Sequence, residues 1–301
     1  MNIEQRRSRT INTLCSLLGY SRQAYYQQKN AVEKEILQYD LVIQQVLFIR
    51  NRQKKVGTRK LFIMLQPFLK QHNILMGRDA LFELLATNNM LIRKRKRRVP
   101  RTTFSDHWLR KHPNLILGMT ITSPNTLWVS DITYISMTDD FAYLSLITDA
   151  YSRMIVGYCL CKDLSTEGCL KALKMAILQL PKDSNLIHHS DRGCQYCSTE
   201  YVAQLSKNNI SISMTQNSDP RENAIAERVN GIIKQEFLET CFNDFTHAKN
   251  EVAKAIYIYN NERIHSSVDM LTPFEAHTKT GLLKKHWKNY YVPKVKEVIM
   301  T

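Results

Sequence analysis

The chain has 301 residues, 44% of them hydrophobic, and a formal net charge of +15. That length allows more than one domain and that apolar share a sizeable core. No run of about 18 apolar residues occurs, which excludes a helical membrane span; the opening MNIEQRRSRT lacks an apolar signal region, and seven scattered cysteines fit a reducing cytoplasm better than a disulfide framework.

The charge is segregated. Residues 1–112 hold 23 Lys and Arg against 7 Asp and Glu, net +16, whereas residues 113–301 hold 19 against 20, net −1. The first third therefore reads as a polyanion binder and the remainder as an ordinary globular domain. In chain order, Leu14, Leu17 and Leu18 form a short helical stripe that Gly19 breaks. Ser21 can cap a second helix carrying Arg22, Tyr25 and Tyr26, making a helix-turn-helix candidate. An amphipathic helix is expected over 36–50. Another opens at Val56-Gly57-Thr58-Arg59-Lys60 and runs to about Lys70. A helix over 78–89, starting with Arg78, would be the reading helix of a second helix-turn-helix. The six cations Arg93, Lys94, Arg95, Lys96, Arg97 and Arg98 follow directly and are expected on phosphates; a nuclear localisation signal is the other usual reading of such a run.

Pro100, Pro113 and Pro124 mark an irregular linker. At Leu127 the pattern changes to β-branched and aromatic side chains. Strands are expected over 127–137, 141–149 and 154–162, joined closely enough to form an antiparallel meander. A helix (165–180), a buried strand (185–190), a helix (198–208), a short strand (210–215) and a long helix (222–240) follow. This order is α/β with a mixed sheet, the later strands reached by helical crossovers and hence parallel.

Three acids in this second part could meet. Asp131 lies within the first strand, where a carboxylate among Trp128, Val129, Ile132 and Tyr134 is out of character. Asp191 ends the fourth strand, the usual position for a site in an open α/β sheet. On the last helix Ile225, Val229, Ile232, Ile233 and Phe237 form one face, while Glu227, Asn230, Gly231 and Lys234 fall opposite. Clustered carboxylates repel and call for a cation. Oxygen-only ligands suit Mg²⁺ or Mn²⁺, and two such ions would clamp the attacking and leaving oxygens of a phosphodiester. His188, His189, Cys194 and Cys197 superficially resemble a zinc ligand set, which we set aside because His188 is expected within the strand.

Asp131, Asp191 and Glu227, with 35 residues between the last two, resemble the signature of the retroviral-integrase superfamily of DDE transposases. The segments WVSDITYI, HHSDRGCQY, DPRENAIAERVNGIIKQE and YNNERIHSSVDMLTPFEA, with VGTRKLFIMLQPFL upstream, are similar to the second-reading-frame transposase of insertion-sequence family three elements. The resemblance implies a helix-turn-helix segment over 1–30, a second helical DNA-binding domain with a basic tail over 31–98, a linker over 99–120, an RNase H-like catalytic core over 121–277 and a C-terminal tail over 278–301. It implies Asp131, Asp191 and Glu227 as catalytic metal ligands for two Mg²⁺ or Mn²⁺ ions, with cleavage at the terminal inverted repeats of an element and joining of the freed 3′-OH to another strand. DNA contacts are expected from Arg59, Lys60, Arg78, the run Arg93 to Arg98, Asn230 and Lys234. The expected setting is the bacterial nucleoid, as a homo-oligomer on DNA, alone or fused by frameshift to an upstream-frame partner. A helix-turn-helix regulator would not need the three acids, and a plain RNase H-type nuclease would leave the basic third unexplained.

Overall fold

The computed structural model describes residues 11–92, 108–182, 184–216 and 223–286. The chain forms two compact units, divided at Arg95. The first is helical: α1 (11–17), α2 (Arg22–Arg52), α3 (Thr58–Gln71) and α4 (Arg78–Thr87). Gly19, at φ +72°, closes α1, and the Ser21 hydroxyl accepts from Ala24 N at 3.0 Å to start α2. One expectation is corrected here. The helix capped by Ser21 and the helix expected over 36–50 are a single element, because no Gly or Pro interrupts Arg22–Arg52 and nothing halts propagation. Val42 and Val46 of α2 pack with Leu61, Leu65 and Leu69 of α3, Leu81 and Leu85 of α4, and Val56 and Ile74. The spacing of four along α3 puts its leucines on one face.

The second unit is built on a five-stranded sheet in the order β3-β2-β1-β4-β5. Its strands are β1 (Leu127–Ser136), β2 (Phe141–Asp149), β3 (Ile155–Cys161), β4 (Ile187–Ser190) and β5 (Ser211–Met214). The first three form the antiparallel meander, and β1, β4 and β5 run parallel. This is the mixed α/β sheet of an RNase H-like domain. Helices α5 (Thr166–Ile177), α6 (Cys194–Cys197) and α7 (Thr199–Lys207) alternate with the parallel strands. Then come α8 (Ala224–Ile232), α9 (Phe245–Asn261) and α10 (Pro273–His277).

Two cores sandwich the sheet. Trp128, Ile147 and Val156 pack with Cys169, Ala172, Leu173 and Ala176 of α5 and Tyr201 and Leu205 of α7. A Cβ on Gly157 would lie 2.2 Å from the Ala172 carbonyl oxygen, so only glycine lets α5 lie this close to β3. In the other core, Ile135, Leu144, Leu146 and Leu160 meet Val229 and Ile232 of α8 and Val252, Ile256 and Tyr259 of α9.

The long helix expected over 222–240 is also corrected. Regular α-helix stops at Ile232, and Ile233–Phe237 forms a π-helical turn closed by Leu238 N donating to Ile233 O at 3.2 Å. The wider turn buries Ile233, Phe237 and Leu238 together while leaving Glu236 to accept from Arg263 Nε and Nη2, both at 2.8 Å. The segment from Tyr259 to Arg263 is a structural joint. Tyr259 Oη donates to Arg153 O at 2.9 Å. Asn260 pairs with both backbone groups of Ile155: its Oδ1 accepts at 3.0 Å and its Nδ2 donates at 2.9 Å. Among the described residues no helix is long and apolar enough to cross a membrane.

Candidate active site

β4 pairs with β1 through Leu127–Ile187, Trp128–His188 and Val129–His189. Continuing that register past the end of the ladder sets Asp131 abreast of Asp191, on the same face of neighbouring strands. Each carboxylate is locally held. Asp131 Oδ1 accepts from Ile132 N at 2.9 Å and Oδ2 from Asn230 Nδ2 at 2.8 Å. Asp191 Oδ1 accepts from Gly193 N at 2.9 Å. A Cβ at Gly193 would stand 3.0 Å from that same oxygen, so the glycine of the DRG sequence lets the backbone close on the carboxylate. Burial and the neighbouring charge of Asp191 push the Asp131 carboxyl up to about 7, with Glu227 adding to the rise; the hydrogen bonds from Asn230 and Ile132 oppose it.

The helix meets this strand through one stripe. Asn223, Glu227, Asn230 and Lys234 are spaced by four, three and four residues and share a face. Asn223 Nδ2 donates to Ser130 O at 2.9 Å, Asn230 Nδ2 to Asp131, and Lys234 Nζ to Thr133 Oγ1 at 3.2 Å. The stripe therefore runs along β1 from Ser130 to Thr133. Glu227 lies within it and is exposed. Among the described residues, no three Asp, Glu, His or Cys side chains converge closely enough to hold an ion. The chemistry of the donors nonetheless fits a hard divalent cation: they are carboxylate oxygens, and the charge of Asp191 raises Asp131 by a repulsion that such a cation would relieve.

The structure brings together Asp131, Asp191, Asn230 and Lys234, with Glu227 one turn from Asn230. Asn230 was expected on DNA; the residue is 5% exposed and its amide rests on the Asp131 carboxylate. Asn223 was missed, although its position four residues before Glu227 on the same stripe was readable. Lys234 is half-buried, its pKa lowered by desolvation against the opposing pull of Asp131. Arg59 is exposed on α3 and Lys60 partly so. Arg78 opens α4 with its Nε 2.8 Å from Asp79 Oδ1. Arg93, Lys94, Arg95, Lys96, Arg97 and Arg98 lie outside the described residues. The resembling zinc set does not gather: the His188 Nε2 is 2.5 Å from Ser130 Oγ and 3.0 Å from Tyr201 Oη, and Cys197 Sγ contacts Met214 Sδ at 3.6 Å.

A mixed sheet of this order is the frame of a polynucleotidyl transferase with an integrase-type core. Residues 121–220 match a family model described as integrase core domain, and residues 208–273 match a second of the same description. The chain is 34% identical over 267 residues to the "Insertion element IS600 uncharacterized 31 kDa protein" of Shigella sonnei, covering 86% of this chain and 96% of that one. It is 28% identical over 275 residues to the transposase for insertion sequence element IS629 of the same organism, covering 88% and 90%. It is 30% identical over 193 residues to transposase InsF for insertion sequence IS3A of Escherichia coli K12, covering 62% and 66%. The chain belongs to the IS3-like family of DDE transposases.

Proposed function

We propose that this chain cuts DNA at the ends of an insertion sequence and joins the freed 3′-OH to another strand, with Asp131, Asp191 and Glu227 as the catalytic carboxylates. The observation that carries the reading is the placement of Asp131 abreast of Asp191, with the Asp131 carboxyl raised by its neighbour. The three acids would hold two Mg²⁺ or Mn²⁺ ions, which when bound supply Lewis-acid activation of the attacking and leaving oxygens. The protein's own part is positional. Ile132 N–H and the Asn230 amide fix the two oxygens of Asp131, so the carboxylate does not rotate away from the incoming phosphodiester. Gly193 N–H does the same for Asp191. Lys234 offers a cation to a backbone phosphate beside Asp131. Water attacks a phosphodiester at the element end and releases a 3′-OH; that hydroxyl then attacks a phosphodiester in the second strand and displaces a second 3′-oxygen.

Recognition belongs to the basic third, through Arg59, Lys60, Arg78 and the run Arg93 to Arg98, in helix-turn-helix elements within residues 1–98. The charge segregation supports this division: a near-neutral catalytic part has little long-range attraction for DNA. The working form would be an oligomer on paired element ends, with or without a segment from an upstream frame. The test is to incubate the chain, alone and with that segment, with labelled terminal-repeat DNA and Mg²⁺ or Mn²⁺. Metal-dependent nicked and joined products are expected, and their absence from both preparations would overturn the reading.

A further inference from the structure

Lys234 sits against an aromatic face. Its Nζ is 3.9 Å from the centroid of the Tyr134 ring. The other cation–ring contacts among the described residues, Arg22 on Tyr26, Lys162 on Phe245 and Arg263 on Tyr259, are longer, at 5.6, 5.4 and 5.9 Å. The Tyr134 ring is itself anchored, edge-on to Phe141 at 5.3 Å and 83°, and its backbone is paired with Tyr143 of β2. Successive residues of a strand point to opposite faces, yet Lys234 touches both Thr133 and Tyr134. It does so where β1 has run past the end of β4, whose ladder covers only Leu127 to Val129. The ammonium therefore straddles a stretch of strand edge that no described strand pairs with, two and three residues beyond Asp131.

An ammonium has three donors. Among the described residues one goes to a neutral hydroxyl and the ring face receives the charge; neither neutralises it. A flexible four-carbon chain would otherwise lose rotamer freedom on meeting a phosphate. We propose that Tyr134 is a positioning residue for the DNA end: its ring seats Lys234 beside Asp131, so that an incoming phosphate meets a cation already in place. This rests on the reading of Lys234 as a phosphate contact. Tyr134 acts through the lysine and touches neither the reacting atoms nor the carboxylates. The quality that matters is the electron-rich ring face and not the phenol hydroxyl.

The test uses the full chain and a terminal-repeat duplex, titrated over a range of salt concentrations, with melting temperatures as a fold control. Lys234→Ala is expected to flatten the salt dependence by about one unit, for one lost phosphate contact. Tyr134→Phe should bind within about twofold of the parent, and Tyr134→Leu roughly three- to tenfold more weakly. Because the ring works through the lysine, the double variant should bind no more weakly than Lys234→Ala alone. If Lys234→Ala leaves the salt slope unchanged, the phosphate reading and the role of the ring fall together. If Lys234→Ala flattens it while Tyr134→Leu binds like the parent, or the two losses simply add, the ring proposal falls alone. Should Tyr134→Leu not fold, stepwise-fluorinated phenylalanines at position 134 keep the shape and drain the ring face of charge. Binding that declines with each added fluorine supports the proposal, and a flat response overturns it.

Discussion

Replacing Asn260 by alanine tests the joint that the Tyr-Asn-Asn-Glu-Arg segment makes. β3 is an edge strand, and the Asn260 amide acts on it as a further strand would, accepting from Ile155 N at 3.0 Å and donating to Ile155 O at 2.9 Å. Ile155 is 3% exposed and Asn260 9% exposed, so water does not readily replace the amide. Each buried backbone group left without a partner costs about 1–3 kcal/mol, so the pair predicts a loss of about 2–6 kcal/mol. For a unit of this size, about 2–4 °C per kcal/mol turns that into a fall in melting temperature of about 4–24 °C. Asn260→Asp keeps the acceptor but turns a carboxylate oxygen toward the Ile155 carbonyl, and should be no better than alanine. The neighbouring Asn261 is the control: it is exposed and, among the described residues, its side chain bonds only Tyr257 O, one turn back on its own helix, so its alanine variant should lose under about 0.5 kcal/mol. Urea and thermal unfolding of the three variants provide the measurement. A loss below about 1 kcal/mol for Asn260→Ala, or equal losses at both asparagines, would refute the reasoning.

Asp131→Asn, Asp191→Asn and Glu227→Gln should each abolish strand cleavage and joining while leaving duplex binding nearly intact, since each removes a charge at constant size; substantial joining by any folded variant would remove that residue from the catalytic set. A fragment of residues 1–112 should prefer the terminal repeat over scrambled DNA, with 113–301 binding both weakly; in filter-binding or anisotropy titrations, the reverse partition would defeat the proposed division of labour. Within the fragment, removing Arg93 to Arg98 should weaken binding to all sequences alike, whereas Arg78→Ala should reduce preference for the repeat. Elemental analysis should find no zinc held by Cys194 and Cys197; about one equivalent per chain, lost when both become serine, would contradict the hydrogen-bonded role of His188.

The strands and the antiparallel meander were legible because their signals are local. The β-branched runs at 127, 141 and 154 and the apolar run before Asp191 each fold as strands, and the short joins forced the meander. The crossover rule made β4 parallel to its neighbour; that this neighbour is β1, which sets Asp131 beside Asp191, was a condition the sequence left open and the ladder from Leu127 to Val129 supplies. Less legible was anything that depends on what covers a helix. Periodicity separated the apolar face of α8 from Glu227, Asn230 and Lys234, and the polar side read as a face open to DNA. In the fold that side also lies against protein, along β1, which is why Asn230 is buried. The π-helical turn was invisible for a similar reason: it arises from burying Phe237 and Leu238 together while Glu236 reaches Arg263, and Arg263 is far away in sequence. Asn260 looked like part of a functional motif because sequence alone does not separate an amide that binds a ligand from one that completes a sheet edge.

The site itself arises from a mismatch of strand lengths. β1 has ten residues and β4 only four, so past the end of β4 no strand among the described residues pairs with that edge of β1. Asp191 contributes to that mismatch, because its carboxylate captures Gly193 N and turns the chain out of the strand one residue after Ser190. The uncovered backbone groups must still find partners. Asp131 takes Ile132 N with its own side chain, and Asn223 reaches across from the helix to Ser130 O. The Asn223 amide is thus one answer to an interrupted sheet edge, and two aspartates standing abreast are what the interruption leaves at its end. A longer β4 would satisfy the same backbone groups with a ladder and would cover the carboxylates. The arrangement that leaves the strand short is the one that leaves room for a phosphodiester beside Asp131.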